Sequence, residues 1–296
     1  MKSIITVKNL TKSYGQTRAV DNLSFEMVPG KIYGLLGRNG AGKTTLINLL
    51  TSRIYASQGD IMLFGEPGID NQAALSRICC MPDKNLFPPG LKVGKILRIA
   101  ADFYPTFDMS CAASLSREFD LNWNNSYKSL SRGYESILRI IIGLASRCEL
   151  TIFDEPVLGL DAAGRDLFYQ DLIKEYSSAP RTFILSTHLI DESADIFEEA
   201  LIIKDGKLVV FDQVEKLKKQ ATVISGHKDD VDAFTAKHRL QIFSAESLGR
   251  LAAVTAGGLL SDDVIRQGFQ EGLDFSPVSL QKLFIHLTQA IERQVS

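Results

Sequence analysis

Apolar and polar residues alternate through residues 4–28. Ile4-Ile5-Thr6-Val7 and Ala19-Val20-Asp21-Asn22-Leu23-Ser24-Phe25-Glu26-Met27 read as strands with one buried and one wet face. Gly15 and Pro29-Gly30 punctuate them as turns, and Ile61-Met62-Leu63-Phe64 adds a strand before Gly65. An antiparallel β layer is therefore expected near the N-terminus. A second pattern follows: Lys31-Ile32-Tyr33-Gly34-Leu35-Leu36, Ile78 to Met81, Leu150-Thr151-Ile152-Phe153 and Thr182 to Thr187 are short, nearly continuous apolar runs. Such runs read as buried core strands. Residues 92–146 are mostly helical by periodicity. Val93 to Phe103 is one amphipathic segment, and Tyr134 to Ala145 is another, with Ile137, Leu138, Ile141, Ile142 and Leu144 apolar. Ala200 to Ile203 and Lys207 to Phe211 form a hairpin across Asp205-Gly206, a strong turn signal.

The pattern changes after about residue 220. Short strands (Thr222 to Ser225, Leu251 to Thr255) alternate with helical stretches that carry no chemical motif. The last helix places Leu280, Leu283, Phe284, Leu287 and Ile291 at helical spacing, after Ser279 as N-cap. That stripe covers a small core or faces a second copy. A length of 296 residues gives about two domains. They are placed at 1–220, with a helical subdomain at about 86–146, and at 221–296, an accessory or dimerisation domain.

Composition narrows the class. The chain is 45% hydrophobic and 23% charged, ordinary for a soluble globular protein. A net charge of −2 provides no broad reason to bind nucleic acid or an anionic membrane. The N-terminus lacks a signal-peptide pattern, and no apolar run approaches the roughly 20 residues that span a bilayer. Ile137 to Ala145, the richest run, is broken by Arg139. The chain is expected in the cytosol, or on a membrane through a partner. Cys79, Cys80, Cys111 and Cys148 form no C-x-x-C pair, so buried reduced thiols are expected.

The chemistry begins at Gly37-Arg38-Asn39-Gly40-Ala41-Gly42-Lys43-Thr44-Thr45. This segment fits G-x-x-x-x-G-K-[ST], between a short buried strand and a helix starting at Leu46-Ile47-Asn48-Leu49-Leu50. The glycines let backbone N–H groups wrap a polyphosphate, and the helix N-terminus adds partial positive charge. Lys43 can reach the terminal phosphates, and the Thr44 hydroxyl can ligate Mg²⁺. The motif indicates a nucleoside triphosphate with Mg²⁺ and leaves the use of its energy open. Asp154 ends an apolar strand, where a carboxylate that holds Mg²⁺ belongs. Glu155 follows, and strand alternation predicts that the two carboxylates point differently. His188 ends another apolar strand, at the edge where α/β sheets bind ligands, and is assigned a polar contact to the γ-phosphate.

Together these residues resemble the nucleotide-binding subunit of an ATP-binding cassette (ABC) transporter. Gly37 to Thr45 resembles the family's Walker A motif and Leu150 to Glu155 its Walker B motif with catalytic glutamate. Leu130-Ser131-Arg132-Gly133-Tyr134 is similar to the signature, Gly159-Leu160-Asp161 to the D-loop, and His188 to the switch histidine. Tyr14 falls where the family stacks an aromatic on adenine. The match runs from about residue 4 to 212. The resemblance implies an α/β fold, a P-loop NTPase of ABC ATPase type with antiparallel β and helical subdomains, joined by a small C-terminal α+β domain. It also implies a head-to-tail dimer with a second ATPase subunit, bound to transmembrane permease subunits on the inner face of the membrane. Glu155, His188 and Lys43 would be catalytic, and Ser131 and Gly133 would touch the partner's γ-phosphate.

The chain departs from the family at Asp83, where glutamine is usual. Aspartate is shorter, would meet Mg²⁺ through a water, and adds negative charge near the γ-phosphate. Arg132 and Tyr134 replace Gly and Gln in the signature. Arg132 either reaches a phosphate in trans or is simply exposed. These features resemble exporter-type subunits that pair with ABC-2-like permeases. Phe87-Pro88-Pro89-Gly90-Leu91 is either part of a permease-facing groove or a Pro-rich turn. Three other readings stay open. A soluble ABC protein of translation or DNA repair usually has two cassettes or an inserted coiled coil. A GTPase would use Asp161-Ala162-Ala163-Gly164 as D-x-x-G, but no Asn-Lys-x-Asp reads guanine. A catalytically weak partner in a heterodimer is kept in view by Asp83.

Overall fold

The alternating N-terminal segment folds into a long hairpin, β1 (Ile5–Tyr14) and β2 (Thr17–Met27). Its register sets Ile5 opposite Met27, Val7 opposite Phe25 and Leu10 opposite Leu23, so the apolar positions share one face. This is a computed structural model; it describes residues 2–84 and 87–295, and side chains as far as residue 289. After the hairpin come β3 (Ile32–Leu36), α1 (Lys43–Leu50), β4 (Gln58–Leu63), β5 (Glu66–Pro67), α2 (Gln72–Leu75) and β6 (Ile78–Met81). Three helices follow, α3 (Val93–Phe103), α4 (Met109–Glu118) and α5 (Arg132–Ala145). Then come β7 (Leu150–Asp154), α6 (Ala162–Ser178), β8 (Thr182–Thr187), α7 (Ile190–Ser193), β9 (Glu199–Lys204) and β10 (Lys207–Gln213). The remainder is α8 (Val214–Lys218), β11 (Ala221–His227), α9 (Lys228–Lys237), β12 (Gln241–Leu248), β13 (Leu251–Gly257), α10 (Asp262–Gln270), β14 (Asp274–Pro277) and α11 (Leu280–Val295).

These elements form two compact units, Met1–Leu189 with Asp195–Phe211, and Ile190–Ala194 with Asp212–Ser296. Residues 212–220, which the sequence reading puts in the first domain, belong to the second unit.

The first unit has two sheets. The antiparallel one runs β2-β1-β4-β5. The other runs β10-β9-β3-β8-β7-β6, with parallel pairing from β9 through β6. Every residue of β3, β7 and β8 is buried, which explains their continuous apolar runs. A shared core joins Ile5, Leu10 and Leu23 of the antiparallel sheet, Leu46 and Ile47 of α1, and Leu35, Ile152 and Ile184 of the parallel sheet. The hairpin turn between β9 and β10 has Asp205 at φ 49° and Gly206 at φ 76°, the two positive values of a type I′ turn. Helix α5 starts at Arg132 because the Ser131 side chain accepts a hydrogen bond from the Tyr134 N–H at 3.3 Å. The Pro-rich stretch folds back: the Phe87 ring meets Tyr127 edge-on at 5.5 Å, and Lys128 N–H bonds to Pro89 O at 3.0 Å. Cys79, Cys80 and Cys148 are buried and free, and Cys111 is half-buried and free.

The second unit is an antiparallel sheet, β12-β13-β11-β14, with a core of Ile224, Val231, Phe234, Val254, Ala256 and Leu273. Ser279 caps α11 through Lys282 N–H at 3.2 Å. Leu280, Leu283 and Phe284 are buried, and α11 packs on α7 and α8 within this unit. The side chain of Ile291 lies outside the described residues. Strand β12 escapes periodicity because seven of its eight residues are exposed, which leaves no buried alternation to read.

Candidate active site

The loop Gly37–Thr45 joins β3, the buried centre of the parallel sheet, to α1. Gly42 sits just before α1 at φ 107°, and a Cβ there would lie 2.3 Å from Ala19 O. A Cβ on Gly37 would lie 2.7 Å from Ile203 O. Glycine at both positions lets the loop lie flat against β2 and the β9–β10 hairpin. No side chain caps the N-terminus of α1, so its first N–H groups are free to hold an anion. The Lys43 side chain is buried and folds back over the loop, with Nζ donating to Gly37 O at 2.6 Å.

Strand β7 delivers the carboxylates. Thr44 Oγ1 donates to Asp154 Oδ2 at 2.9 Å. Asp154 Oδ1 is buried without a partner. Asp154 and Glu155 take different partners, though the strand pleat does not set the direction of Glu155. β7 ends at Asp154, and Glu155 adopts φ 51°, in the left-handed region. Its N–H bonds to Ser186 O at 2.9 Å, which holds this strained residue in place. Glu155 Oε1 then lies 3.5 Å from Lys43 Nζ, and Oε2 lies 2.9 Å from His188 Nδ1. Both carboxylates therefore face the loop. His188, at the end of β8, reaches it through Glu155.

These groups line a cleft of about 830 Å³ that also holds Arg38, Asn39, Gly40, Ala41, Gly42 and Thr45. Ala19, on β2, and Arg132, on α5, also line it. Tyr14 stands outside that lining, exposed, with the Lys12 ammonium 5.2 Å from its ring centre. Ser131 and Asp161 cap α5 and α6, Asp161 accepting from Gly164 N–H at 2.8 Å. Gly133 abuts the next turn, where a Cβ would come 2.7 Å from Gly159 O. Ser131, Gly133 and Asp161 thus gather near one another, outside the lining of this chain's own cleft.

Asp83 also lines the cleft, but its surroundings overturn the electrostatic expectation. Oδ1 lies 3.2 Å from Arg139 Nη1, and Oδ2 lies 3.5 Å from Arg132 Nη2. Two guanidinium groups offset its charge, so it does not act as an added bare negative charge near the phosphates. Arg139 appeared in the sequence merely as a break in an apolar run. Its signal was present: a single charge on a buried helical face has to find partners.

The oxygen set at Thr44 and Asp154 suits Mg²⁺, a hard cation that takes few protein ligands and completes its shell with phosphate and water. The unpartnered Asp154 Oδ1 is the atom such a shell would satisfy. Among the described residues no group of three or more His, Cys, Asp or Glu forms an all-protein metal cage.

Comparison with known proteins adds the family. The ABC transporter family model matches residues 20–158. The Nod factor export ATP-binding protein I of Cupriavidus metallidurans is 32% identical over 216 residues, 71% of each chain. The chain belongs to the ABC transporter family. This ABC chain is also 24% identical to the ABC transporter ATP-binding protein YtrB of Bacillus subtilis, over 95% of its own length and 97% of that protein. A solved ATP-binding subunit of an ABC transporter has the same fold, with a TM-score of 0.67 and 22% identity over 74% of this chain and 93% of that one. Among the described residues of this ABC subunit, no helix is long and apolar enough to cross a membrane.

Proposed function

We propose that this chain hydrolyses ATP as one of two ATP-binding subunits that drive a separate transmembrane permease. The observation that carries the reading is the convergence of Lys43, Thr44, Asp154, Glu155 and His188 on one cleft beside the free N-terminus of α1. The α1 N–H groups and Lys43 hold the phosphates. Thr44 and Asp154 would hold Mg²⁺, which would supply neutralisation of charge on the phosphate oxygens. Glu155 orients the attacking water and takes up its proton. His188 fixes the Glu155 carboxylate and faces the γ-phosphate. Lys43 Nζ lies 3.5 Å from Glu155 Oε1, and a polyphosphate would offer it a stronger anionic partner.

Ser131, Gly133 and Asp161 lie off this cleft, which supports their completing the cleft of a second subunit. Within the dimer each ATP is then covered from both sides. The permease places the subunit at the inner face of the membrane. The test uses purified protein with ATP and Mg²⁺. Glu155→Gln should lose turnover by about 100-fold or more, as removal of a general base does, and should accumulate an ATP-bound dimer. Turnover by Glu155→Gln equal to the parent's would refute the assignment.

A further inference from the structure

We propose that Arg139 is a positioning residue that ties three nucleotide-facing turns into one moving part. The inference rests on the function proposed above. Arg139 lies on α5, on a helix whose neighbouring positions Leu138, Ile140 and Ile141 are fully buried, and it is itself 5% exposed. Nη1 donates to Pro82 O at 2.7 Å and to Asp83 Oδ1 at 3.2 Å, on the turn that leaves β6. Nη2 donates to Ser136 Oγ at 2.7 Å, and Ser136 Oγ donates to Leu158 O at 2.6 Å, on the turn that follows Glu155. Nε points back to Glu135 O at 3.4 Å in the first turns of α5, just after Ser131 and Gly133.

The chemistry explains why arginine is needed. A buried charge without partners is costly, so each of these bonds is strongly held. The guanidinium is planar, so its two Nη groups cannot move independently. A shift of Asp83 is thereby passed to Ser136, and from there to Leu158. The close approach of Gly133 to Gly159 O joins the remaining two turns directly. Asp83 reports on the cleft because it lines it and also faces Arg132, another lining residue. The aspartate therefore works as the anchor of this joint, and Arg139 as its pivot. The joint links the cleft of one nucleotide to the surface that covers the other.

Two measurements test this. The first is amide hydrogen exchange of the nucleotide-free protein, which does not depend on the proposed function. Arg139→Met should raise exchange about tenfold or more in residues 81–84, 131–136 and 157–160 together, the loss of about 1.4 kcal/mol of local protection. The helix Lys43–Leu50 should be unchanged. The second uses the Glu155→Gln background with ATP. Affinity of the monomer for a fluorescent ATP analogue should stay within about twofold, while ATP-driven dimerisation, read by sedimentation, weakens about tenfold or more. In the exchange measurement Asp83→Asn should raise exchange in the same segments and add nothing in the Arg139→Met background. Should Arg139→Met fail to fold, Asp83→Asn decides the matter through the exchange measurement, which is made without nucleotide: no rise in residues 131–136 and 157–160 overturns the proposal. Exchange confined to α5 overturns the proposal. So does a fall in monomer affinity that matches the fall in dimerisation, or strict additivity of the two substitutions. Failure of the Glu155→Gln parent to bind ATP would instead strike the proposed function and leave the exchange measurement standing.

Discussion

Replacing Asp171 by asparagine should stabilise this protein near neutral pH and have almost no effect in acid. Asp171 lies on α6, 3% exposed, and one of its oxygens, Oδ2, is buried without a partner. Burial, followed by the neighbouring Glu118 carboxylate, pushes its carboxyl from 3.8 up to about 6. The sign follows directly. The folded state keeps a proton that the unfolded state has released, so stability falls as pH rises from about 4 to about 6, and stays lower above that. Roughly two pKa units at 1.36 kcal/mol each give an upper bound of about 3 kcal/mol. Glu118 keeps a partly exposed side chain 4.0 Å from Lys174. Solvent and that lysine screen the repulsion, so about 1–2 kcal/mol is expected. Asparagine keeps the shape and carries no charge at any pH. Urea unfolding of parent and variant between pH 5 and pH 8 measures the difference. The variant's advantage should grow across this range and level off above pH 7. An advantage independent of pH, or one that shrinks as pH rises, would refute the reasoning.

Other substitutions probe the two units separately. Gly42→Ala puts a Cβ 2.3 Å from Ala19 O at φ 107°. The strain of about 2–4 kcal/mol falls on the phosphate loop, so ATP affinity should drop about 100-fold in a fluorescent-nucleotide titration. Phe234, fully buried in the second unit, should cost about 3–5 kcal/mol on replacement by alanine. Its unfolding should appear as an early transition in a thermal melt, with ATP binding at the first unit held within about twofold.

Much of the site is local in sequence and was therefore legible. The loop Gly37–Thr45 carries its own turn chemistry and helix start. Asp154 and His188 each end a run that is apolar throughout because its strand is buried on both faces. What escaped reading depends on residues that are distant along the chain. The direction of Glu155 is set by a left-handed φ and a bond to Ser186, because the strand has already ended at Asp154. The meaning of Asp83 depends on Arg139, 56 residues away, and no local rule pairs them. Tyr14 carries the right ring at the right place in the family pattern, yet the nearby hairpin residue that lines the cleft is Ala19. In the second unit, β11 and β13 have buried residues to announce them. β12 is a sheet edge with little burial, so its sequence reads as loop.

The four cysteines carry a further consequence. Burial raises Cys79 to about 12, Cys80 to about 11 and Cys148 in the same direction. Half-buried Cys111 reaches about 12 through burial and the adjacent Glu175 carboxylate. At pH 8 about one thiol in a thousand or fewer is then ionised at such values, and the thiolate is the reactive form. The four free thiols of the folded subunit should therefore react slowly with alkylating agents. Its thiols become reactive when the first unit opens, so their alkylation rate is a built-in clock for unfolding.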